Sequence, residues 1–135
     1  MKKLREQNIL GLDFGLKHTG VAIATDGLAL GLETIEGDSL TVIKRVKELV
    51  GQNSIDLILI GIPETGIHDN KQQKLVENFF KELKKGLSED EKVKIKLVDE
   101  KFSTKQVQRY AFLANEHQEA ARLLIEDYLA KQMFP

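Results

Sequence analysis

The chain has 135 residues, of which 41% are hydrophobic and 30% charged, and its formal net charge is −1. That balance predicts one globular domain over residues 1–135 with enough chain for a real core, and it excludes a disordered polymer. The absence of cysteine excludes disulfides and thiolate metal sites, and no run approaches the ~18 apolar residues of a membrane span, so a cytoplasmic chain is expected.

Residues 9–14, 20–25 and 28–35 read as three consecutive strands, the first two joined by a short glycine-containing turn. Asp38 or Ser39 can cap a helix in which Leu40, Val42, Ile43, Val46, Leu49 and Val50 recur at helical spacing, with Gly51 at its exit. Asp56 to Ile62 is a continuous apolar run, as in a strand covered on both faces, and Pro63 ends it. Asp69 or Asn70 opens a second helix with a stripe of Leu75, Val76, Phe79, Phe80 and Leu83. Val93 to Val98 alternates with lysines and reads as a half-exposed strand. Ser103 with Gln106, and Asn115 with Gln118, fit capping boxes for two final helices. The last of these carries Ala120, Ala121, Leu124, Ile125, Tyr128 and Leu129.

The order βββαβαβαα predicts an α/β fold: a mixed sheet of three antiparallel then two parallel strands, with helices on both faces. In such sheets ligands sit beyond the strand ends where the strand order switches. Asp13 closes the first apolar run, and a carboxylate in a core strand is costly unless it is hydrogen-bonded, paired or bound to metal. That cost makes Asp13 the first candidate for chemistry. The plainer alternative is an acid hydrogen-bonded to the turn at Gly15 to Thr19.

Five segments in order resemble the YqgF family of Holliday-junction-resolvase-like, pre-16S ribosomal RNA nuclease proteins. They are Gly11-Leu12-Asp13-Phe14-Gly15-Leu16-Lys17-His18-Thr19-Gly20-Val21-Ala22, Leu32-Glu33-Thr34-Ile35, Gly61-Ile62-Pro63, Asp99-Glu100-Lys101-Phe102-Ser103-Thr104 and the final helix Ala120 to Leu129. The resemblance runs from Ile9 to Leu129. It implies a ribonuclease-H-like fold and a nuclease that processes the 5′ end of precursor 16S ribosomal RNA in ribosome biogenesis. Structured RNA would be its partner and branched DNA the alternative. It also implies a divalent metal, Mg2+ or Mn2+, held by acidic side chains from separate parts of the chain.

Carried over position by position, the resemblance makes Asp13 the central ligand and Glu100 the second acid. His117 stands where the family has an Asp. As a ligand it would favour manganese or zinc over magnesium, and its plainer reading is a surface histidine in the first turn of a helix. Lys17, Lys101 and Thr104 are candidate substrate contacts, although Ser103 and Thr104 also suit a helix cap. Glu64, after Pro63, is a substitute ligand or a loop acid. Leu16 and His18 replace the family's Thr and Arg, and Lys101 its Arg. The segment before the last helix is shorter than the family's. His68 carries no specific signal.

The lysines of residues 71–96 alternate with acids and read as a solvated face. Two further readings are open. One is a catalytically weakened relative that binds RNA or a partner. The other is a nucleotide-binding domain, because a strand, an Asp-x-Gly turn and a second strand also resemble the first phosphate motif of actin-like ATPases.

Overall fold

The computed structural model describes residues 2–63, 70–87, 92–100 and 116–133, with backbone alone at Pro63, Asn70 and Glu100. After a single 3-10 turn at Leu4–Glu6 come β1 (Ile9–Asp13), β2 (His18–Thr25), β3 (Leu28–Glu36), α1 (Ser39–Asn53), β4 (Leu57–Pro63), α2 (Asn70–Gly86), β5 (Lys94–Glu100) and α3 (Glu116–Met133). One sheet runs in the order β3-β2-β1-β4-β5. β1, β2 and β3 pair antiparallel, while β1 with β4 and β4 with β5 pair parallel. The expected mixed sheet is therefore present, with its helices on both faces. The helix expected from Ser103 lies outside the described residues.

The β2–β3 connection is the dipeptide Asp26-Gly27, with φ of 53° and 81°. Positive φ at both central residues is the turn whose twist matches two antiparallel strands, and it pins the register at Thr25 opposite Leu28. Val21 pairs with Glu33 and Ala22 with Gly31, so Leu32 is a bulge residue.

Alternation along the strands divides the core. Leu10, Leu12, Val21, Ile58 and Ile60 pack with Val42, Val46, Val76, Phe79 and Leu83 of α1 and α2. Ile9, Ala22, Ala24, Ala29, Leu57 and Leu59 pack on the other face with Ala121, Ile125 and Leu129 of α3. Both faces of β1 and β4 are thus covered, which is why these two strands read as unbroken apolar runs. Where α3 crosses β1, β2 and β3 this face carries glycine and alanine, because the helix lies close against it. A Cβ on Gly11 would meet the Ala121 carbonyl oxygen at 2.8 Å, and one on Gly20 the His117 carbonyl oxygen at 1.8 Å. No described helix is long and apolar enough to cross a membrane.

Two helix details depart from expectation. Leu40 is 69% exposed rather than part of the α1 stripe. Gly51 does not end α1: the helix continues to Asn53 and stops at Ser54, which is left-handed at φ 49°. Asn8 decides this, because its side-chain amide donates to the carbonyls of Asn53 and Ser54, each at 3.2 Å. A residue far away in sequence satisfies carbonyls that a local glycine turn would otherwise have to cap.

At its start, α1 is capped by Asp38, whose carboxylate accepts from the Thr41 backbone N–H at 3.0 Å and the Thr41 hydroxyl at 2.9 Å. The backbone bond first, and the hydroxyl second, hold the Asp38 carboxyl below its ordinary value. A depressed folded value means that the bonded carboxylate stabilises the fold above the unfolded value, and that this contribution is lost as pH falls through the folded one. Asp38→Ala should therefore lower Tm at neutral pH. Its difference from the parent should close as pH falls through the lowered Asp38 value. Thermal melts across that range check this, and a gap that stays constant would show that the cap does not act through its charge.

Candidate active site

Asp13 is the last residue of β1, half-buried at the end of the strand rather than enclosed in the core. It pairs with Gly20 of β2. The His117 carbonyl lies against Gly20, so the bare glycine brings the first turn of α3 beside the Asp13 position. Because β1, β4 and β5 are parallel, their C-terminal ends share one end of the sheet. Glu100 is the last residue of β5, opposite Pro63 of β4. Asp13 and Glu100 are therefore brought to the same end of the sheet, separated by β4. Two strand spacings make that ~10 Å across the sheet. Leu12 is level with Ile60, and Ile60 with Leu97, so Glu100 stands further along the strand direction than Asp13.

The His117 imidazole is 38% exposed, and its Nε2 lies 3.8 Å from Glu116 Oε1. Its ring stacks on that of His18, with centroids 5.3 Å apart and an interplanar angle of 26°. His18 Nδ1 is in turn 4.0 Å from Glu36 Oε1. His18, at the start of β2, thus joins the same end of the sheet. In the sequence it stands out only as a departure from the family pattern. The antiparallel pairing of β1 with β2 is what brings it there, and no local signal announces the stack. Among the described residues, no group of three acidic or histidine side chains is arranged to hold a metal ion.

Lys17 is exposed in the β1–β2 connection, where its backbone carbonyl accepts from the Gly37 N–H at 3.0 Å. The turn it belongs to is closed by Thr19, which is buried and whose hydroxyl exchanges long contacts of 3.4 and 3.5 Å with Gly15. Lys101, Thr104, Glu64, Ser103 and His68 lie outside the described residues.

The Leu32-Glu33-Thr34-Ile35 segment is structural. Arg45 of α1 donates Nε and Nη2 to the two oxygens of Glu33 at 2.9 and 2.7 Å, and also bonds Glu48. These carboxylates hold the guanidinium above its ordinary value, Glu33 more than Glu48. The Gln118 amide reaches the Thr34 hydroxyl at 3.4 Å, and Ile35 enters the core. The segment therefore ties β3 to α1 on one side and to the first turn of α3 on the other. In this way it helps to fix the site wall without entering the site.

Comparison with known proteins places this geometry in a family. The family model described as "RuvX: Holliday junction resolvase" matches residues 7–132. A protein of Ureaplasma parvum serovar 3 named "Putative pre-16S rRNA nuclease" is 33% identical, over 93% of this chain and 97% of its own. One of the same name from Mycoplasmopsis synoviae is 28% identical, over 89% of this chain and 95% of its own. Among solved structures, Thermus thermophilus RuvC superimposes with a TM-score of 0.66 at 12% identity, covering 94% of this chain and 96% of that one. At that identity the likeness speaks for the fold, which is the ribonuclease-H-like one. Family match, relatives and sheet topology agree, and the chain belongs to the RuvX family of Holliday-junction-resolvase-like proteins, the family its YqgF-like motifs indicated.

Proposed function

We propose that the chain is a metal-dependent nuclease that processes the 5′ end of precursor 16S ribosomal RNA, with Asp13 and Glu100 as its acidic centre. The observation that carries this is the position of Asp13. A half-buried carboxylate ends β1 where the parallel strands stop and the first turn of α3 begins. Such a carboxylate suits a hard divalent cation, which takes oxygen ligands. Asp13 and Glu100 are the residues that would hold the ion. When bound, it supplies water activation and charge neutralisation at the scissile phosphate.

The chain's own residues do the rest. Exposed Lys17 would steer phosphate toward the strand ends, and the first turn of α3 would bound the site beside Asp13. The names of the relatives favour ribosomal RNA as substrate, and ribosome assembly puts such a protein in the cytoplasm.

The test is cleavage of labelled precursor 16S RNA and of a four-way DNA junction, each in magnesium and in manganese. Cleavage of the RNA at its 5′ leader is expected. Preferential junction cutting would move the substrate to branched DNA, and no cleavage of either would defeat the nuclease reading.

A second reading rests on one specific observation. The imidazole expected as the third ligand is stacked on the His18 ring. This favours a relative that binds RNA without cutting it. A manganese-induced rise in Tm that Asp13→Ala removes would decide for the metal site, and its absence would decide for the binder.

A further inference from the structure

Several basic residues of this chain are held by carboxylates. Lys2 is 3.2 Å from Asp56, Lys131 is 2.9 Å from Asp127, Arg45 is bound by Glu33 and Glu48, and Arg122 by Glu119 and Glu126. Each of these charges is neutralised by a carboxylate.

Lys84 and Lys96 are held differently. Lys84 Nζ sits 4.8 Å above the Phe80 ring. Lys96 Nζ donates to the Tyr128 hydroxyl at 3.1 Å and lies 5.6 Å from its ring. An aromatic face or a hydroxyl positions an ammonium group without cancelling its charge. Among the described residues, no carboxylate is within ion-pair distance of Lys84, Lys94 or Lys96.

These three lysines line one groove. It follows the outer edge of β5, holds about 360 Å³ and is walled, among the described residues, by Lys84, Leu87, Val93, Lys94, Ile95 and Lys96, none of them acidic. Lys84 comes from α2 on one side of the sheet, and the Lys96 contact with Tyr128 places that ammonium on the α3 side. Cations therefore flank the edge from both faces. In sequence these lysines alternate with acids and look like a solvated surface, and the fold is what collects them. Glu89, Asp90 and Glu91 lie outside the described residues.

We propose that the β5-edge groove carries the phosphate backbone of the RNA strand whose cleavage site is at the Asp13 end of the sheet. This rests on the nuclease reading and extends it to a binding surface. β5 itself links the two places. Lys94 is six residues from Glu100 at the end of the strand, a separation of ~20 Å at ~3.3 Å per residue. One strand of a duplex presents a phosphate every ~3.4 Å along the axis, so that span covers about six phosphates. A site of this length recognises a polynucleotide and not a nucleotide. Lysines on both sides of this edge give the sequence-independent, salt-sensitive contact that backbone binding requires.

The test uses the full chain carrying Asp13→Asn, so that substrate survives, and a fluorescently labelled RNA hairpin with a single-stranded extension. Anisotropy titrations at several salt concentrations give Kd and its salt slope. Adding Lys84→Gln, Lys94→Gln and Lys96→Gln together should weaken binding at least tenfold at low salt. It should also reduce the slope of log K against log salt by about 2 to 3, the loss of three phosphate contacts. The same three positions changed to Arg should retain the parent slope. Lys44→Gln, Lys47→Gln and Lys74→Gln, an equal charge change at exposed positions elsewhere, should leave the slope near the parent's.

Equal effects from the two glutamine sets would overturn the proposal, because net charge alone would then explain binding. It would also be overturned if the groove variants lost a labelled polyglutamate but kept RNA, which would assign the groove to an acidic polypeptide. Binding is read without cleavage, so failure of this proposal and failure of the nuclease reading are separate results.

Discussion

Asp13→Asn is expected to lower RNA cleavage about a thousandfold, about 4 kcal/mol of transition-state stabilisation, while leaving the fold intact. The amide keeps the shape of the side chain at the end of β1, and the position is only half-buried, so packing on the α3 face is unchanged. The change removes a negative charge at the place where the parallel strands end. A neutral amide is a far weaker ligand for a hard divalent cation than a carboxylate. The manganese-dependent rise in Tm should vanish together with the activity. Cleavage at the parent rate by Asp13→Asn would remove Asp13 from the mechanism. Loss of activity with the metal response retained would move the metal site elsewhere and leave Asp13 a different role.

The largest structural effect is expected at Gly20. An added methyl group would stand 1.8 Å from the His117 carbonyl oxygen, and the first turn of α3 must retreat by about 1.6 Å to reach the 3.4 Å of an ordinary contact. The obstacle is backbone on both sides, so no rotamer change relieves it. Gly20→Ala should cost about 3 kcal/mol, or about 10 °C in Tm, as overpacking of a close helix–sheet contact does. Gly51→Ala is the internal control. Its Cβ would meet nothing within 4 Å, and it lies inside α1, so it should stabilise by about 0.5–1 kcal/mol. Urea denaturation and thermal melts measure both. A neutral Gly20→Ala would mean that α3 does not sit closely on β2, and the placement of the site wall would fall with it. A folded Gly20→Ala variant that has lost activity out of proportion to stability would show that the position of α3 matters to the chemistry.

Much of this was legible in the sequence, for identifiable reasons. The strand runs at Ile9 and Leu57 and the helical stripes of α1 and α2 are repeated local signals, each made of several apolar residues that agree with one another. The apolar run ending at Asp13 pointed to a candidate acid, and the five ordered segments located the family. Less legible was anything that depends on two distant elements meeting. Gly51 looks like a helix stop, and Asn8, more than forty residues earlier, decides otherwise. Gly11 and Gly20 look like ordinary turn or strand glycines, yet they are bare because α3 presses on them. His117 reads either as a third metal ligand or as a surface histidine in the first turn of a helix, and neither reading contains its stack on His18.

By itself, then, the sequence determined the class of fold and the family, and it singled out Asp13 as the candidate acid. Burial pattern and motif order are properties of a chain segment and survive being read one segment at a time. The tertiary structure alone decided which residues share the end of the sheet, why the small residues of β1 and β2 are required, and which lysines line the β5-edge groove. Those are distances between segments, set by strand register and by the close seating of α3, and no local pattern encodes a distance across a sheet.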